Sequence, residues 1–213
     1  MKTPSRRSAK AGLLVHAGLF LTVLLAVTLS DFGLTARAQS PNLQDQLEQV
    51  LRLAALDGQI ERVRASLDQG AAPDAIDPDG RTALMMAAYN GHTETVKMLL
   101  DCGARVDATD RVGRTALMYA ASGPFAATVQ LLITRGADPN IRDTEEGFTA
   151  LMFAAAEGQV EVIKVLLSHG ADVTIKDNDG DRALDFAVKN GHKIAAGLLK
   201  KEAELKPDSK NTP

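Results

Sequence analysis

Tryptophan is absent from this 213-residue chain, cysteine occurs once, and aromatic residues make up only 4%. The lone cysteine, Cys102, excludes an internal disulfide and any cysteine-rich metal site. So few rings disfavour one thick core, whereas plentiful alanine and leucine suit a stack of short helices. Excess positive charge is missing too. With 24 Lys+Arg against 27 Asp+Glu, net −3, no basic stripe exists to bind nucleic acid. No His-Glu-x-x-His occurs, and no histidine stands at catalytic spacing from Cys or Ser. The chain therefore reads as non-enzymatic, with no cofactor and no metal.

What is present begins with a basic head, Lys2, Arg6, Arg7 and Lys10, before an uncharged run from Ala11 to Ser30. Ala36-Arg37-Ala38 then supplies small residues at the −3 and −1 positions before Gln39. This is the order of a secretory signal peptide over residues 1–38, with cleavage expected after Ala38. The alternative is an uncleaved inner-membrane anchor, since about 20 apolar residues just span a bilayer. Gly12, His16 and Gly18 dilute that run, and the cleavage tripeptide favours removal. A mature chain would carry 19 Lys+Arg against 26 Asp+Glu, net −7. Such a protein repels anionic surfaces, so no membrane contact is expected after cleavage.

From Asp77 to Lys200 one phrase recurs four times. It reads Gly80-Arg-Thr-Ala-Leu-Met-Met-Ala-Ala, Gly113-Arg-Thr-Ala-Leu-Met-Tyr-Ala-Ala, Gly147-Phe-Thr-Ala-Leu-Met-Phe-Ala-Ala and Gly180-Asp-Arg-Ala-Leu-Asp-Phe-Ala-Val. The glycines are 33, 34 and 33 residues apart. A fixed period of this size means stacked units, each too small to bury its own apolar face. Asp77, Asp110, Asp143 and Asp177 each open a turn whose Gly takes a positive φ. Thr82, Thr115 and Thr149 are placed to cap a short helix bearing Leu84, Leu117 and Leu151. Gly91, Gly158 and Gly191 stop that helix. A second helix with Val96, Leu99 and Leu100 and their counterparts ends at Gly-Ala.

These units resemble ankyrin repeats over about residues 44–199. The family's Thr-Pro-Leu-His becomes Thr-Ala-Leu-Met in three units. Its Gly-His survives as Gly91-His92 and Gly191-His192, becomes Gly158-Gln159, and is lost as Pro124-Phe125. The resemblance implies an all-α solenoid of about five helix-turn-helix units with β-turn or hairpin tips. The repeat domain, residues 39–206, divides into units 44–76, 77–109, 110–142, 143–176 and 177–206, and residues 207–213 form a polar tail. The first and last units act as caps.

Several groups have a plain structural role. His92, His169 and His192 suit capping and bonding between units. Asp177-Asn178-Asp179-Gly180-Asp181 begins like a calcium loop, but Arg182 and Val188 stand where Gly and Glu are required. Met85, Met118 and Met152 form a packing ladder. Cys102 is a partly covered small residue at a helix end; a redox-linked or stress-defence role through it is the enzyme-like alternative.

The resemblance also implies a function: binding another protein through a concave surface of turn tips and first helices. Position by position, that surface holds Arg81, Tyr89, Arg111, Arg114 and Phe148, with Phe148 expected as an exposed anchor. The expected protein is a monomeric, exported interaction module, periplasmic or secreted.

Overall fold

The computed structural model describes residues 42–205. The proposed signal peptide, its cleavage site and the polar tail lie outside the described residues. Among the described residues ten helices follow one another in five pairs. The first members are α1 (Leu43–Leu56), α3 (Ala83–Tyr89), α5 (Ala116–Ala121), α7 (Ala150–Ala156) and α9 (Ala183–Lys189). The second members are α2 (Ile60–Asp68), α4 (Thr93–Asp101), α6 (Ala126–Thr134), α8 (Val160–Ser168) and α10 (Lys193–Leu205). First members pack on first members and second on second, giving two parallel rows joined pair by pair. No strand forms among the described residues; one isolated bridge joins Thr109 and Thr115. None of these helices is long and apolar enough to cross a membrane.

The capping threonines act as the sequence implies. Thr82, Thr115 and Thr149 each accept from the backbone N–H three residues on, at 3.4 Å. In the last unit Arg182 takes the threonine's place. There Asp185 accepts from the Arg182 N–H at 2.8 Å, the reciprocal half of a capping box, while its own N–H turns to the Arg182 carbonyl at 2.9 Å. At the other end of α3, Gly91 sits at φ +69°. That lets His92 N–H reach the Ala87 carbonyl at 2.9 Å and Gly91 N–H reach Ala88 at 3.1 Å, closing the helix.

Leu84, Leu117 and Leu151, the methionine ladder and the alanine pairs are all buried in one continuous core. Alanines let neighbouring first helices approach closely, and Val96, Leu99, Val129, Leu132, Ile163 and Leu166 fill the space beneath the second row. Cys102 departs from expectation: it is exposed. It occupies the C-cap of α4, beyond the last residue that faces another helix.

The Gly-His slot explains the odd third unit. His92 lies against Gly58 and puts Nε2 3.0 Å from the Leu56 carbonyl, to which Asn90 also donates at 2.8 Å. His192 and Asn190 repeat this on Gly158 and Ala156. In the third unit Phe125 fills the slot, its ring so close to Gly91 that a β-carbon there would overlap it. Pro124-Phe125 is thus an apolar substitute for the same inter-unit contact.

Between the outer turns, Asp74, Asp107 and Asn140 each accept a backbone N–H from the next unit. Asp107 is raised above the ordinary carboxylate value of 3.8, by burial first and then by the Asp138 charge, against the pull of the Asp138 N–H. A carboxyl that holds its proton more tightly when folded favours the native state at low pH. That contribution is lost as pH rises through the folded value. Asp107→Asn, copying Asn140, should therefore stabilise the protein at pH 7 by less than about 0.5 kcal/mol. In urea titrations the gain should vanish near pH 3, and a gain that persists there would contradict the assignment.

Candidate functional site

Each of the last four units projects a tip built on its first aspartate. Asp77 Oδ1 accepts the N–H of Asp79 and Arg81 at 2.9 and 2.8 Å, and its own N–H bonds the Arg81 carbonyl at 3.0 Å. Asp110 and Asp177 hold their tips the same way. Asp143, in the tip with one extra residue, accepts three N–H groups, from Glu146, Gly147 and Phe148, at 3.0, 2.8 and 3.1 Å. One backbone bond then joins each tip to the next: Arg111 to Asp79, Thr144 to Val112 and Asn178 to Glu146. The tips form a continuous row beside the first helices.

The five expected anchors all lie on this row or on the helices behind it, in different states. Arg81 is tied down, with Nε 2.8 Å from Asp77 Oδ2 and NH2 3.0 Å from Asp79 Oδ2. Burial opposes ionisation of Asp77, but the backbone and side-chain hydrogen bonds from Arg81, together with the Arg81 charge, hold that carboxyl below its ordinary value. Arg111 is exposed, and its side chain makes no ion pair among the described residues. Tyr89 is half-buried, edge-on to Tyr119 at 6.2 Å. Arg114 lies over the Phe153 ring, 5.3 Å from its centroid. Phe148 is half-buried rather than exposed, because it wedges between Phe153 and Phe186 at 5.6 and 5.0 Å.

The remaining candidates resolve into structure. Asp177 is occupied by its tip N–H groups and Asp181 pairs with Lys189. His169 lies on the exposed outer row, bonded to Val165 and Gln130. Among the described residues no group of three or more His, Cys, Asp or Glu is placed to hold a metal. The clefts at the starts of α10 and α4 are shallow, about 260 and 390 Å³, and bring no catalytic set together.

Residues 51–143 and 123–211 each match the family model for ankyrin repeats in three copies, together spanning most of the chain. This chain belongs to the ankyrin-repeat family. No curated protein matches it significantly. Ankyrin repeats suggest a protein–protein interaction module.

The ankyrin framework exposes four residues that the sequence reading passed over: Met86, Tyr119, Phe153 and Phe186. All occupy one slot, five residues after Arg81, Arg114, Phe148 and Asp181. Each is half-buried on its first helix. The signal was in the repeated phrase, where a large side chain follows Met85, Met118, Met152 and Asp185 in every copy. Tyr119 goes furthest, donating its hydroxyl to Asp110 Oδ2 at 2.6 Å. Burial first, and then that bond and the Asp110 charge, push its phenol well above the ordinary value.

Proposed function

We propose that this ankyrin-repeat protein is an exported, non-enzymatic, monomeric module that grips one partner protein through its tips and first helices. The observation carrying this reading is the aromatic strip. Tyr89 meets Tyr119, Phe148 bridges Phe153 and Phe186, and Arg114 lies over Phe153. Aromatic and arginine side chains are the residues that most often dominate interface energetics. The strip runs across four units, so a partner spanning it contacts several helices at once.

A photo-crosslinking residue placed at Arg111 should capture one discrete partner in the producing cells. The same residue at exposed Lys97, on α4, should capture none. Equal capture at both positions would move the site off this face. Phe148 is a poor choice for a truncation test, since removing it also opens the contact between α7 and α9.

Export rests on the N-terminal pattern of basic head, apolar run and Ala36-Arg37-Ala38. The intact mass of the exported protein should correspond to a chain starting at Gln39, in the periplasm or medium. A mass retaining Met1 or the apolar run would replace this reading with that of an anchored scaffold.

A further inference from the structure

Arg81 and Arg114 fill the same slot of successive units yet are held differently. In the second unit Met86 leaves Asp77 Oδ2 free to take Arg81 Nε at 2.8 Å. In the third, the Tyr119 hydroxyl occupies Asp110 Oδ2 at 2.6 Å, while Oδ1 holds the N–H of Val112 and Arg114. The carboxylate of Asp110 is spent, and the Arg114 guanidinium extends towards the next tip. There it stands 3.6 Å from Asp143 and 3.8 Å from Glu145, beyond hydrogen-bond reach of both. Arg114 Nε is buried without an acceptor, and Asp143 Oδ2 is buried without a donor. Asp143 cannot turn to meet it, because three backbone N–H groups pin its other oxygen.

The outcome is a guanidinium supported on one face by Phe153, 32% exposed, with no side-chain hydrogen bond to a described residue. A planar cation whose five donors lack acceptors is matched by a carboxylate, which can take two parallel N–H bonds at once. Being half-desolvated over a ring strengthens such a bond relative to water. Resting on the surface proposed above, the geometry points to a carboxylate-reading subsite: Arg114 receives a single Asp or Glu side chain of the partner segment that lies on the aromatic strip. Exposed Arg111 adds positive charge on the same tip; exposed Glu145, ion-paired with Arg114 at 3.8 Å, swings aside for the incoming carboxylate and with Glu146 and Asp179 repels a second acid. The occupant is thus one acidic residue flanked by apolar or aromatic ones, not an acidic tract.

The test is selection of a displayed library of random peptides on the purified protein. Enriched peptides should share one Asp or Glu, and changing it to Asn or Gln should weaken binding about tenfold. On an Arg114→Gln protein the acid and amide peptides should bind alike. Tyr119→Phe frees Asp110 to clamp Arg114 as Asp77 clamps Arg81, so it should shrink the preference for the acid over the amide peptide several-fold. Equal loss for both peptides would mean Tyr119 only supports the fold, overturning the inference. Peptides that crosslink at position 111 but carry no required acid would overturn the subsite and leave the interaction surface standing. Peptides that bind without touching position 111, or a selection that yields no binder, would overturn both.

Discussion

Leu151→Ala should lower the unfolding free energy by about 2–5 kcal/mol in a urea titration. Leu151 is 1% exposed on α7, the first helix of the fourth pair, with α5 on one side and α9 on the other. Truncation removes the transfer free energy of three carbons and leaves a void bordered by two neighbours. α5 cannot collapse into it without leaving α3, nor α9 without leaving α10. An exposed leucine gives the control: Leu53 on α1 is 52% exposed, and Leu53→Ala should cost less than about 1 kcal/mol. A loss below 1 kcal/mol for Leu151→Ala would contradict a core shared between stacked pairs. The site also tests how cohesion spreads. Since most burial is realised only against a neighbour, the loss should broaden or shift the whole transition rather than melt one pair alone.

Asp143→Ala should be almost as damaging, at about 3 kcal/mol, although it removes only a surface turn's carboxylate. The Asp143 side chain is 0% exposed. Its Oδ1 collects the N–H groups of Glu146, Gly147 and Phe148, which have no other acceptor among the described residues. Alanine would strand all three donors and leave Arg114 beside an empty space. Asp143→Asn separates hydrogen bonding from charge, since its amide oxygen still accepts. It should cost about 1–2 kcal/mol. The tip-surface change Asp179→Ala should stay within about 0.5 kcal/mol. Thermal melts of the three variants would settle the ranking, and an Asp143→Ala protein as stable as Asp179→Ala would remove the clamp role.

These two residues mark what the sequence disclosed and what it withheld. The period, the capping threonines, the turn aspartates and the stop at Gly91 are local, so the recurring phrase displays them directly. Leu151 is legible for the same reason, as one member of a slot filled alike in every copy. Contacts between units join residues some thirty positions apart, and their outcome depends on which side chains happen to meet. That Phe125 would stand in for a histidine against Gly91 follows from no single unit. Neither does the capture of Asp110 by Tyr119, which releases Arg114 from its own tip. Phe148 looked like an exposed anchor because its slot elsewhere holds the charged Arg81, Arg114 and Asp181; two rings from adjacent helices cover it. Cys102 looked partly covered because the helix pattern runs up to it, but the last core contact of α4 is Leu100.

The aromatic seated on Gly91 has a mechanical corollary. At the first junction His92 and Asn90, and at the last His192 and Asn190, fasten a carbonyl of the preceding unit with directional bonds. Phe125 offers only a flat apolar slip plane, and the hydroxyl pair Thr93–Thr128, 2.7 Å apart, is the polar tie left beside it. Bending of the array would concentrate at that seam, with the threonines as pivot. Tyr89 and Tyr119 stand on opposite sides of it, so the proposed binding surface would flex between its two tyrosines like a jaw. Faster amide exchange around Ala126 than around Lys193 would register that motion.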